Sequence, residues 1–192
     1  MSKSMGLLLF AMVGCNGFAE PSELVPETSA VYFDALRTTT TVGVIYTGQN
    51  LAGPRGDMVT WETANPLVAT VDGRGTIAST GNGETVVTAR QLGRSAAIRV
   101  VVSQLPASLD AGPDLPNSFA TALLVGQTVQ AFASASDRLG EKILNPPVVW
   151  SSLSPSVLSI TPTGQIRALA SGQGIVLARL GALSTQLTFN VQ

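Results

Sequence analysis

The residues able to do chemistry are few. The 192-residue chain holds one Cys, Cys15, and no His. A lone thiol can be acylated but cannot close an internal disulfide, so packing and backbone pairing must hold the folded part together. Trp61 and Trp150 could stack on a sugar ring or fill a core. Asp110, Asp114 and Asn117, within Asp110-Ala111-Gly112-Pro113-Asp114-Leu115-Pro116-Asn117, offer the oxygen ligands that Ca²⁺ takes, yet their spacing matches no recognisable metal loop and the Pro/Gly/Asp content is that of an ordinary linker. Gly-rich phosphate loops, nucleophile elbows, paired-carboxylate motifs and metal-ligand clusters are missing from the sequence, which predicts a non-enzyme with no catalytic residue, metal or cofactor. Catalysis would require carboxylates brought together by folding. The formal charge of −1, with nine Arg and two Lys scattered among twelve acids, provides no basic stripe and argues against a nucleic-acid partner.

Position gives Cys15 its meaning. Lys3 precedes an apolar run, Gly6–Val13, too short to span a bilayer as a helix, and this predicts a signal peptide over residues 1–14. The run closes on Met12-Val13-Gly14-Cys15, which resembles the bacterial lipobox, with Met12 where Leu is commoner. The resemblance implies that Cys15 is lipidated and becomes the mature N-terminus, giving a membrane partner through its acyl chains. Each buried CH₂ contributes about 0.8 kcal/mol, so several chains suffice for stable anchoring. Two plainer readings stand beside this one: Gly17-Phe18-Ala19 as a small-x-small cleavage site releasing a secreted or periplasmic protein, and Cys15 as an inert part of the apolar run. Residues 15–28, polar and with two Pro in Asn16–Glu27, read as a tether. Asn16 after the Cys is not the Asp associated with inner-membrane retention, and the resemblance therefore points to the outer membrane.

The remainder is organised by a repeat. Val59–Val102 recurs 89 residues later as Val148–Val191, and without a gap 12 of the 44 pairs are identical, among them Trp61/Trp150, Pro66/Pro155, Val68/Val157, Gly75/Gly164, Ile77/Ile166, Gly83/Gly172, Ala89/Ala178 and Arg90/Arg179. The period predicts two domains of about immunoglobulin size, over residues 29–103 and 104–192, the second including the linker. Abundant Val, Thr, Ser, Gly and Pro favour short strands and tight turns, hence an all-β fold. Thr41–Tyr46 reads as one strand with Val42, Val44 and Tyr46 on a common face. Asn65-Pro66 and Asp72-Gly73-Arg74-Gly75 read as turns. Ile98, Val100 and Val102 form an inward row matched by Leu187, Phe189 and Val191, while the opposite rows, Ala97, Arg99, Val101 and Gln186, Thr188, Asn190, differ.

The pattern W-x-x-x-N-P-x-V-A-x-V-D-x-x-G-x-I from Trp61, followed by a Gly-rich turn and two alternating strands, resembles the bacterial immunoglobulin-like group 2 domain of invasin- and intimin-type adhesins. The second copy has Ser154 for Asn65, Thr161 for Asp72 and Pro162 for Gly73, and its Leu124–Val129 resembles the family's opening segment. The resemblance implies two tandem antiparallel β-sandwiches of about seven strands each, with Trp61 and Trp150 buried between sheets. It further implies a non-catalytic envelope or cell-surface protein acting as an adhesion module or spacer, with a protein or glycan partner. A carbohydrate-binding module and a subunit of a larger envelope assembly are the alternatives, and exposed aromatics gathered on one sheet face would mark the former.

Overall fold

The computed structural model describes residues 23–47, 59–114 and 122–192, and the described residues form two tandem immunoglobulin-like β-sandwiches. Cys15, residues 1–14, most of the predicted tether and Asn117 lie outside them. The first sandwich comprises β1 (Glu23–Pro26), β2 (Ala30–Phe33), β3 (Thr39–Thr41), β4 (Val44–Thr47), β5 (Thr60–Thr63), β6 (Ala69–Val71), β7 (Thr76–Ser79), β8 (Gly83–Gln91) and β9 (Arg94–Val102). Its main sheet has the order β2-β9-β8-β5, faced by β3-β7-β6, with β1-β4 as a small third sheet. The second comprises β10 (Ser108–Pro113), β11 (Ala122–Leu123), β12 (Thr128–Ser136), β13 (Lys142–Ile143), β14 (Val149–Ser152), β15 (Leu158–Ile160), β16 (Gln165–Ala168), β17 (Gly172–Leu180) and β18 (Leu183–Val191). Here β11-β18-β17-β14 faces β10-β12-β16-β15, and β13 adds to β12.

Alternation builds both cores. Along the β8–β9 hairpin Val87, Ala89, Ile98 and Val100 are fully buried, whereas Ala97 and Arg99 face water. In the second copy Val176, Ala178, Phe189 and Val191 occupy the same inward positions, with Leu187 partly covered. Full burial of a Val, Ile or Phe side chain contributes about 1.5–3 kcal/mol, so these rows fix the register: a one-residue slip would turn every one of them outward. The expected inward rows and the turns at Asn65 and Asp72 are where the sequence placed them.

Four expectations are corrected. Thr41–Tyr46 is not one strand: the chain leaves β3 at Thr41, crosses at Val42 and Gly43, and joins β1 as β4. Val42 and Val44 are both buried but serve different clusters. Glu23–Pro26 is not tether: it pairs antiparallel with β4, and Leu24 is enclosed with Val44, Ala89 and Ala96. A four-residue strand carrying one inward apolar residue gives no periodicity, and Pro26 is tolerated because a strand with one partner can do without an N–H. The sandwiches are not wholly antiparallel, since β2 runs parallel to β9 and β11 to β18. Finally, Trp61 and Trp150 are not fully buried: both are half-buried and pack against the core clusters.

Candidate functional site

The two Trp are held by the turn glycines of the repeat. Gly75 and Gly164 both have positive φ, 80° and 85°, the region in which a side chain is strained. A Cβ at residue 75 would stand 2.7 Å from Trp61 Cζ2 and 2.5 Å from the Val42 carbonyl, and one at residue 164 would stand 2.7 Å from the Ala131 carbonyl and 3.4 Å from Trp150 Cε2. The shared Trp–Gly pairs are thus packing contacts. Trp150 nevertheless lines a shallow groove with Phe132, Lys142, Asn145 and Thr163. Phe132 is 57% exposed, and the first copy has Gly43 in its place. Tyr32, 69% exposed, lies on the other sandwich, beside the Arg99–Glu84 pair (Nη2 to Oε2, 2.7 Å).

Asp110 is drawn into β10 opposite Ser134, and Asp114 donates its backbone N–H to the Gln130 carbonyl. Ser108–Pro113, which overlaps the stretch read as linker, is therefore the first strand of the second sandwich. Among the described residues no three acidic or Cys side chains gather as a metal would require.

Polar side chains converge instead where the sandwiches meet, around Asp137, which sequence reasoning missed. Asp137 begins the turn between β12 and β13. Its Oδ1 accepts the N–H of Leu139 (2.9 Å) and of Glu141 (3.0 Å), the Glu141 carbonyl accepts its N–H (2.9 Å), and Gly140 at φ 81° closes the turn. Its Oδ2 turns the other way and accepts the N–H of Leu36 in the first sandwich (2.9 Å) and the Nε2–H of Gln104 (3.0 Å). Burial, with 3% of Asp137 exposed, would raise its pKa, but donation by Gln104, Leu36, Leu139 and Glu141 outweighs that cost and holds it at about 2.

The surroundings extend the contact. Gln104 Nε2 also reaches the Glu141 carbonyl (3.3 Å), its backbone N–H donates to Asn82 Oδ1 (2.8 Å), and its Oε1 accepts from Asn82 Nδ2 (2.8 Å). Arg37 pairs with Glu141 (3.0 Å) and Arg138 with Asp34 (3.2 Å). The signal for Asp137 was present in the sequence. Asp137-Arg138-Leu139-Gly140 has the same Asp-x-x-Gly form as Asp72-Gly73-Arg74-Gly75.

No protein-family model matches the chain, and no curated protein matches it. Among solved structures it is similar to the N-terminal four Ig domains of Dscam1 isoform 1.9, at 11% identity and TM-score 0.53 over 90% of this chain and 46% of that one. It is also similar to the Yersinia pseudotuberculosis adhesin InvE (17% identity, TM-score 0.43, 88% of this chain and 59% of that) and to the S-layer protein rSbsC (18%, 0.39, 79% and 23%). The chain thus spans less than two thirds of each. The first likeness agrees with the immunoglobulin-like sandwiches described above.

Proposed function

We propose that the chain is a non-catalytic, lipid-anchored envelope or cell-surface protein in which two sandwiches of the bacterial immunoglobulin-like group 2 type serve as an interaction module or spacer. The observation that carries this reading is the order of two tandem sandwiches after an apolar run closing on Cys15, with the repeat's shared residues spent on cores and turns. The anchor is tested by Cys15→Ala in detergent phase partitioning. The parent is expected in the detergent phase and the variant in the aqueous phase; an unchanged distribution refutes lipidation. The location proposed is the outer membrane, which separation of the two membranes of the producing cell would test.

One observation favours glycan as the partner class. The Phe132–Trp150 groove of the second sandwich sets an exposed ring beside Lys142 and Asn145. An exposed aromatic face with polar neighbours suits a sugar ring. A glycan array probed with the parent and with Phe132→Ala tests it: hits lost in the variant support sugar binding at this groove, and the lack of any hit with the parent removes it.

A further inference from the structure

We infer that the Asp137 turn is a latch that holds the two sandwiches as one stiff body. The inference rests on the fold and not on the proposed surface role. Tandem domains joined by a linker move relative to each other unless something fixes the joint. Here one carboxylate is shared between the two sides, with Oδ1 holding its own turn and Oδ2 facing donors outside it.

The receiving loop is built for this contact. Phe33 stands opposite Val102 just as Leu123 stands opposite Val191, an offset of 90 between Phe33 and Leu123, whereas Arg37 and Gly126, the next matched pair of positive-φ residues, are 89 apart. The loop of the first sandwich is therefore one residue longer than its counterpart. At the counterpart end the Val125 N–H donates back to Gln192 of its own sandwich, while in the first sandwich the Leu36 N–H points outward to Asp137. Buried Ser79 fixes the longer loop: its Oγ donates to the Ala35 carbonyl (2.9 Å) and accepts the Thr38 N–H (3.1 Å). The matched residue in the second copy is Ala168, which can do neither. Arg37 holds φ 56° where the second copy has Gly126, and its guanidinium reaches Glu141 across the joint. The linker is engaged from both sides through Gln104, and the Ala107 N–H donates to the Ser136 carbonyl.

The test is a distance distribution between nitroxides on Ala97→Cys and Gln186→Cys, equivalent exposed strand positions, in the full chain carrying Cys15→Ala. One narrow distribution is expected for the otherwise native protein. Asp137→Asn places an amide N–H₂ among donors and is expected to broaden it roughly twofold, toward the spread of freely jointed domains. Gln104→Leu removes the donor that faces Oδ2 and the Glu141 carbonyl but leaves the turn's own Oδ1 bonds in place, and is expected to broaden it too. Circular dichroism checks that both variants keep their strands. If Asp137→Asn fails to fold, Gln104→Leu decides. A distribution already broad in the parent, or one unchanged in a folded Gln104→Leu, overturns the latch.

Discussion

The turns at Asp72 and Asp137 share one local design and differ in what they face. In both, Oδ1 accepts the N–H groups two and four residues on, the N–H of the Asp donates to the carbonyl four residues on, and the Gly three residues on has φ near 80°. The second copy of the repeat makes this turn a third time with a hydroxyl, Thr161 Oγ1 accepting the Gln165 N–H (3.0 Å). At Asp72 these bonds to the Thr76 and Arg74 N–H groups hold the carboxyl below its usual range at an exposed site, and the acid only shapes the turn. At Asp137 the same geometry is enclosed and the spare oxygen meets the other sandwich. A side chain's role is thus set by the surface its unused valence faces, which local sequence does not specify.

The glycines of the two turns provide the largest contrast. Gly75→Ala would need both a positive φ and room 2.5 Å from a backbone carbonyl, at a cost of about 3 kcal/mol or more. Gly140→Ala has a matching φ of 81° but meets nothing within 4 Å, which leaves about 1–2 kcal/mol of conformational strain. Denaturant midpoints at unchanged m measure both, and equal losses would show that the close approach to Trp61 and the Val42 carbonyl adds nothing.

The acids come next. Asp137→Ala should cost about 2–4 kcal/mol, because it takes the shared acceptor from partly buried donors on both sides of the joint, whereas Asp72→Ala should shift the midpoint far less. Protonation separates the acids without mutation. The folded pKa of Asp137, about 2, lies below an unfolded value of about 3.9, so its contribution is fully present above that value and is lost as pH falls toward 2. Arg37, Arg138 and Glu141 surround the joint, and Asp72 and Glu84 are lowered as well, so the diagnostic quantity is the difference between parent and Asp137→Asn across that window. The difference should shrink as the acid limit is approached; a constant difference would place the stabilisation elsewhere.

The inward rows from Val87 to Val102 and their copies were legible because a period of two over nine residues, repeated 89 residues on, admits one register. Glu23–Pro26 and the crossing at Val42–Gly43 were not, because short strands that bury one or two residues give too few alternations to detect. In the second copy that crossing lies within a single nine-residue strand, β12, with Phe132 at the position of Gly43, so the two copies mask each other's boundaries. The joint was illegible for another reason. Asp137 lies 101 residues from Leu36 and 33 from Gln104, and the loop that receives it differs from its copy by one inserted residue, so the repeat that revealed the cores carries no trace of the contact.

Arg37→Gly is the smallest and sharpest perturbation of the comparison. Gly would relieve a backbone at φ 56° that the second copy assigns to Gly126, a gain of about 1 kcal/mol. It would also free the unfolded chain, a loss of about 0.4–1 kcal/mol, and delete the ion pair with Glu141. That pair is exposed, with 78% of the Arg37 side chain in water, so its loss removes well under 1 kcal/mol. The sum predicts a midpoint nearly unchanged, while the nitroxide distribution widens slightly because one of the ties across the joint is gone. Should Arg37→Gly destabilise as much as Asp137→Ala, the ion pair would be the principal tie and the carboxylate only the former of its turn.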